Sequence, residues 1–273
     1  MRAWLLAVPL LVYLAVFLVY PMGEAVRLAF TDSVSGSFPS LASFRILADD
    51  RLFRDALVVN LLLPMVAVAL EVVAGLGLAL LLAERLPARR LLRAAVLLPF
   101  ALPEIVFLTI LRNVLTPRGY LNGAFAMVGV APVDLLSPGT ASSFVSVAFV
   151  DAWRTTPVVF LILLGALAAL PAEIGQAARV DGASSWRRFW HVTLPLLRPA
   201  LVAAILLRGL DALRLFAAPL VLTGVEGVPV LSTYAYHQWS DYGDDGAAAA
   251  ASVVLALLCL LASAPLLRRR VTA

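Results

Sequence analysis

Six apolar stretches, each near or above the roughly 20 residues that a helix needs to cross the hydrocarbon core of a bilayer, take up most of this 273-residue chain. They run from about Ala3 to Phe30, Leu57 to Ala83, Leu91 to Leu115, Ala141 to Leu170, Ala200 to Leu222 and Ala247 to Leu267. A segment of that length in lipid must satisfy every backbone N–H and C=O, and a helix does so within itself. The expected fold is therefore all-α, a polytopic membrane protein with six transmembrane helices. Composition agrees. The chain is 62% hydrophobic and 14% charged, against about 45–50% and about 25% in soluble domains. That balance excludes a water-soluble enzyme, a disordered chain and a nucleic-acid-binding domain, so membrane lipid is an expected partner and nucleic acid is not. The single cysteine, Cys259, permits no internal disulfide.

All 21 basic residues are arginine, and their placement reports topology. With a cytoplasmic N-terminus, the inside receives twelve: Arg2, Arg85, Arg89, Arg90, Arg93, Arg179, Arg187, Arg188, Arg198, Arg268, Arg269 and Arg270. The outside receives six: Arg27, Arg45, Arg51, Arg54, Arg112 and Arg118. Six spans then place both termini in the cytoplasm. Arg2 before an apolar run also fits a signal peptide, but the run is long and ends in Tyr20-Pro21-Met22 rather than a small-residue cleavage site. The gaps hold no soluble domain, so residues 1–273 read as one transmembrane domain with a long cytoplasmic loop at about 171–199.

Several ionisable residues fall inside the apolar runs: Glu71, Glu104, Asp151, Arg154, Arg208, Asp211 and Arg214. A charge at the bilayer centre costs about 2.5–3.5 kcal/mol on insertion scales, so such residues face a bundle interior or a watery cavity. Asp151 and Arg154, Arg208 and Asp211, and Asp211 and Arg214 are i,i+3 neighbours, spaced for local pairing. They either neutralise one another structurally or line a polar pathway. On one continuous helix, Arg208, Asp211 and Arg214 occupy about a third of the circumference, which suits a cavity lining. Phe216 is their apolar neighbour. Trp153, beside Arg154, reads either as an interfacial aromatic or as a stacking platform for a sugar ring. Prolines 9, 21, 64, 99, 103, 157 and 219 recur in the runs, and each frees a backbone carbonyl.

The loop at 170–199 reads as a helix–turn–helix. Pro171 suits a first helical position, Gly182 a turn, and Ser184 or Ser185 a cap, while Pro195 ends the second piece before the fifth span. Its apolar side chains, among them Ala177, Ala178, Val180, Ala183, Trp186, Phe189 and Val192, fit either a protein partner or the lipid headgroup surface.

Gln176, Ala177, Ala178, Gly182, Val192, Leu194 and Pro195 reproduce the spacing of the Glu-Ala-Ala, Gly, Ile-x-Leu-Pro loop, and the segment resembles that of ABC-importer permeases. Gln176 replaces the usual Glu and Val192 the usual Ile. Val180-Asp181-Gly182-Ala183, Leu194 to Pro199, Trp153 to Pro157, and Leu206 to Phe216 are similar to the carbohydrate branch of maltose/trehalose type. Arg118-Gly119-Tyr120-Leu121-Asn122 fits the first permease of a two-permease importer. Thr223 to Pro229 lacks the Gly-Gly-Pro run of many sugar permeases. The resemblance implies a translocation subunit for a di- or oligosaccharide such as trehalose or maltose. It implies coupling through Gln176, Ala177, Ala178, Asp181, Gly182, Leu194 and Pro195. It also implies a second permease, two ATPase subunits and an extracytoplasmic solute-binding protein, in a bacterial or archaeal cytoplasmic membrane. The implied substrate path is Asp151, Trp153, Arg154, Arg208, Asp211, Arg214 and Phe216.

A phosphate-cradling P-loop requires lysine, and the chain has none. It is expected to carry no cofactor of its own, with ATP and Mg²⁺ bound by the partner ATPase. Glycerol-3-phosphate or another polyol derivative is the alternative cargo. A secondary transporter would need repeats and ion ligands, and an intramembrane enzyme a catalytic constellation; neither is detected. The two histidines, His191 and His237, lie in loops.

Overall fold

In a computed structural model, which describes residues 2–33, 35–84, 87–171, 173–174, 178 and 182–271, every regular element among the described residues is helical. Five helices are long and apolar enough to cross a membrane: Ala7–Ala29, Arg51–Ala83, Ala141–Ala169, Ser185–Ala212 and Asp245–Ala264. A further pair, Arg89–Ala101 and Glu104–Met127, is bent by 95° at a short break; counted as one bent span, it brings the total to the expected six.

The third span is therefore not the single helix expected over Leu91 to Leu115. The break has a local cause. Leu102 precedes a proline and is pushed into the extended region, at φ −76° and ψ 145°. Pro103 has no N–H to continue the ladder and serves instead as the cap of the Glu104–Leu115 helix. The fifth span also departs from expectation. Its helix ends at Ala212, Leu213 to Phe216 form a turn, and a separate short helix covers Ala217–Thr223. Pro9, Pro64, Pro99 and Pro157 lie inside uninterrupted helices.

The chain divides into two compact units, Met1–Asn60 with Pro229–Ala262, and Leu61–Val228 with Ser263–Ala273. In the first unit, the alanines at 247–251 are all buried, because small side chains let the sixth span pack closely. Of these, Ala247, Ala249, Ala250 and Ala251 join Ala29, Leu47, Phe53, Ala56, Leu231 and Tyr234 in one core. Asp50 ends the Ala42–Asp49 helix, accepts the Leu52 N–H at 2.8 Å, and accepts the Tyr234 hydroxyl at 2.6 Å. Burial, then the Asp50 carboxylate, push the Tyr234 phenol above the ordinary tyrosine range. The first span buries none of its apolar window within the chain, so that stretch is available to lipid or to another subunit, and only its end at Ala29 joins the core.

The second unit is built around Ala141–Ala169, the most buried span. Val159, Phe160 and Leu163 pack against Ala79, Leu82 and Ala204. Gly75 makes the approach possible: a Cβ there would lie 2.9 Å from Val159 Cγ1. At the far end of the bent span, Asn122 is buried. It donates to the Thr116 and Val133 carbonyls at 3.1 and 2.9 Å and accepts the Val133 N–H at 2.8 Å. Each bond contributes about 0.5–1.5 kcal/mol net. Asn122→Ala is expected to loosen this turn, so that trypsin cuts after Arg118 several-fold faster in detergent; an unchanged digestion rate contradicts the assignment.

Candidate functional site

Glu71 on the second span, Asp151 on the fourth and Arg208 on the fifth are each at most 3% exposed. The Arg208 guanidinium is held on two edges. Its Nε donates to Glu71 Oε2 at 2.7 Å and its Nη2 to Glu71 Oε1 at 3.0 Å, a bidentate pair across two helices. Its Nη1 donates to Asp211 Oδ2. Thr155 adds a 2.9 Å bond to Glu71 Oε1, so three donors converge on that carboxylate. Asp151 Oδ2 lies 3.7 Å from Arg208 Nη2, outside hydrogen-bond reach, and has no hydrogen-bond partner among the described residues.

Of the expected local pairs, Arg208 with Asp211 and Asp211 with Arg214 form, the latter at 3.5 Å between exposed side chains. Arg154 instead reaches Glu104 Oε1 at 3.0 Å, on the helix that starts after the Pro103 break. A carboxylate in a first helical turn is favoured by the helix dipole. Arg214 lies beyond the helix end at Ala212, so the single-face reading of Arg208, Asp211 and Arg214 does not hold; the turn rather than helical periodicity brings Arg214 back to Asp211.

Six of the seven candidate path residues, Asp151, Arg154, Arg208, Asp211, Arg214 and Phe216, line one pocket of about 200 Å³, together with Glu104. The two helix breaks, at 102–103 and 213–216, both border it. Trp153 does not join them. Successive residues on a helix point about 100° apart, and Trp153 faces Phe107 and Phe149, with ring centres 5.8 and 6.3 Å away. It lines a separate apolar cavity of about 650 Å³ with Val73, Pro99 and Pro157.

Glu71 and Glu104 stand out in the sequence only as intramembrane charges. The available signal was the imbalance itself: three intramembrane arginines against four carboxylates, each needing a partner in lipid.

The loop after the fourth span carries the second cluster of candidate residues. Gln176, Ala177 and Asp181 lie outside the described residues. The Ala183 N–H bonds to the Ala178 carbonyl at 3.0 Å, and Gly182 takes a left-handed φ of +74°, which favours glycine. Ser184 then caps Ser185–Arg188 by accepting the Arg187 N–H at 3.3 Å. Pro195 does not end this piece, contrary to expectation. A π-helical turn over Phe189–Thr193 carries the helix on into Leu194–Ala212. Leu194 N–H bonds five residues back to Phe189, and Leu194 and Pro195 open the next segment, where a missing N–H is tolerated. Trp186, Phe189 and Trp190 cluster with ring centres 5.2–6.5 Å apart, and Trp186 is 72% exposed.

Residues 71–271 match the model of the family described as the binding-protein-dependent transport system inner membrane component. The chain belongs to that family. It is thus a multi-pass inner-membrane permease component of an ABC transport system. The trehalose/maltose transport system permease protein MalF of Thermococcus litoralis is 36% identical over 253 residues, 88% of this chain and 84% of that protein. The trehalose transport system permease protein SugA of Mycobacterium tuberculosis is 36% identical over 228 residues, 81% of this chain and 73% of that one. A crystal structure of a bacterial ABC transporter involved in the import of the acidic polysaccharide alginate shares the fold. Its TM-score is 0.83 at 24% identity, covering 100% of this permease and 97% of that chain.

Removing one partner of a buried ion pair costs about 3–5 kcal/mol, because the other charge is stranded. Arg208→Ala is therefore expected to lower the thermal midpoint of the detergent-purified permease by about 10 °C. Arg214→Ala, which removes an exposed pair, is expected to cost at most about 1 kcal/mol. Thermal melts of the two variants side by side test the assignment; equal shifts contradict it.

Proposed function

We propose that this permease is the translocation subunit of an importer for a neutral di- or oligosaccharide such as trehalose or maltose, and that the pocket between Asp151, Arg208 and Asp211 lies on the cargo path. The observation that carries this reading is a charged, hydrogen-bonding pocket at two helix breaks inside otherwise apolar spans. Broken helices at a polar site are how membrane transporters present backbone and side-chain polar groups to cargo. The similarity to a trehalose/maltose permease and a trehalose permease supplies the cargo class.

The remaining assignments follow the same reading. Residues 1–273 act as one permease domain with both termini cytoplasmic, in keeping with the arginine distribution. The chain pairs with a second permease, receives cargo from an extracytoplasmic solute-binding protein, and is driven by two ATPase subunits. ATP hydrolysis belongs to those subunits, since a chain without lysine has no P-loop. The loop at about 171–199 couples the two, with Gln176, Ala177, Ala178, Asp181 and Gly182 at the docking turn and Leu194 and Pro195 where the motion enters the fifth span. Gln176 in place of Glu leaves that position able to hydrogen-bond without an ionic contact.

The Gly182 turn provides the test. A side chain at left-handed φ costs about 1–2 kcal/mol, enough to depopulate the turn at least about fivefold. In proteoliposomes holding the assembled importer, Gly182→Trp is expected to cut ATP-dependent trehalose uptake by at least that factor, with membrane insertion retained. Wild-type rates in the variant contradict the coupling role.

A further inference from the structure

The pocket has a charge ledger that bears on what it accepts. Arg154 is paired to Glu104, Arg214 to Asp211, and Arg208 to Glu71 and Asp211, with Asp151 at a looser 3.7 Å. Glu71, behind the pocket wall, fixes one edge of Arg208 and Asp211 the other, so this guanidinium is not free to swing toward a new partner. With Asp151 the cluster holds four carboxylates against three guanidiniums. An entering phosphate or carboxylate would meet a formal excess of negative charge, and each guanidinium it met would already face a carboxylate.

Asp151 is the odd member. It is buried to 1% exposure, it lines the pocket, and its Oδ2 has no hydrogen-bond donor among the described residues. Arg208 Nη2, 3.7 Å away, is already committed to Glu71. A buried acceptor at a pocket wall is normally satisfied, and the Asp χ2 torsion is soft enough to turn the oxygen toward the pocket. A hydroxyl group is both donor and acceptor. It satisfies Asp151 without adding charge, and it accepts from the partly exposed Arg214 without breaking a pair. The volume of about 200 Å³ is below the ~300–1,000 Å³ of drug-sized sites, which suits one ring-sized polar unit at a time.

We propose that Asp151 is a specificity-determining residue of this permease: its carboxylate accepts a hydrogen bond from a hydroxyl of an uncharged cargo, while the paired guanidiniums around it turn anions away. The inference rests on the reading of the pocket as part of the cargo path.

The solute-binding protein imposes its own selectivity, so the permease is read without it. Equilibrium binding of radiolabelled trehalose to the purified permease–ATPase complex is measured, in competition with unlabelled trehalose or trehalose 6-phosphate. The wild type is expected to bind trehalose and to ignore an equal concentration of the phosphate. Losing a hydrogen bond to a charged group weakens binding about tenfold or more. Asp151→Asn is expected to show that loss and to let the phosphate compete. Asp151→Glu, which keeps the charge but crowds the pocket, is expected to lose trehalose while still excluding the phosphate. Co-purification of the ATPase subunits confirms assembly of each variant. Unchanged affinity and selectivity in Asp151→Asn overturn the proposal, as does a wild type that binds the phosphate as well as trehalose. So does a wild-type complex that takes up trehalose with its binding protein yet binds none without it. If the wild type shows no ATP-dependent trehalose uptake at all, the importer reading itself fails, and this inference falls with it.

Discussion

Glu71 and Arg208 are 137 residues apart in the chain and form a bidentate ion pair inside the bundle, each almost fully buried. In lipid neither charge is tolerable alone. The pair therefore ties the second span to the fifth, and the other charged groups are arranged around what it leaves over. Asp211 takes the remaining edge of the guanidinium, Thr155 braces the carboxylate from the fourth span, and Asp151 Oδ2 stands beside the pair with no hydrogen-bond donor among the described residues. Whether such a pair adds net stability over an apolar core is a separate matter from what its loss would cost. Its evident structural consequence is a fixed register of three helices around one pocket.

The pocket also depends on two interruptions of helical backbone. At Leu102 and Pro103 the cause is covalent, since proline has no N–H and restricts the residue before it. The resulting helix start places Glu104 where it meets Arg154. At Leu213 to Phe216 there is no proline; the helix stops at Ala212, and Arg214 meets Asp211 from the turn that follows. The prolines at 64, 99 and 157 leave their helices unbroken, so proline content by itself located one break and pointed to several that do not exist. In the cytoplasmic loop the reverse occurs: Pro195 is absorbed by a π-helical turn whose five-residue bond spacing carries the helix past it.

Much was legible in the sequence. Apolar length gave the spans, because a bilayer imposes its thickness on any chain that crosses it. The loop turn was readable because Gly182 and Ser184 do local work: one takes a left-handed φ, the other caps the helix that follows, and neither depends on distant residues. Five pocket residues were readable as charges in the wrong solvent, and Phe216 as their apolar neighbour. Trp153 was grouped with them through adjacency in sequence, yet adjacency on a helix means different faces, and its ring packs with Phe107 and Phe149.

The sequence by itself determined that this chain crosses a membrane, where it crosses, and that a Gly-centred turn follows the fourth span. Those properties follow from hydrophobic length and local dihedral preference. Only the tertiary structure decided which charges pair. An intramembrane arginine has to find a carboxylate, but the i,i+3 spacing that joins Arg208 to Asp211 would equally have joined Arg154 to Asp151. Packing of the spans set Glu104 against Arg154 and Glu71 against Arg208, and so left Asp151 as the acceptor at the pocket wall. Pairing in a low-dielectric interior is a property of three-dimensional distance, which no local pattern encodes.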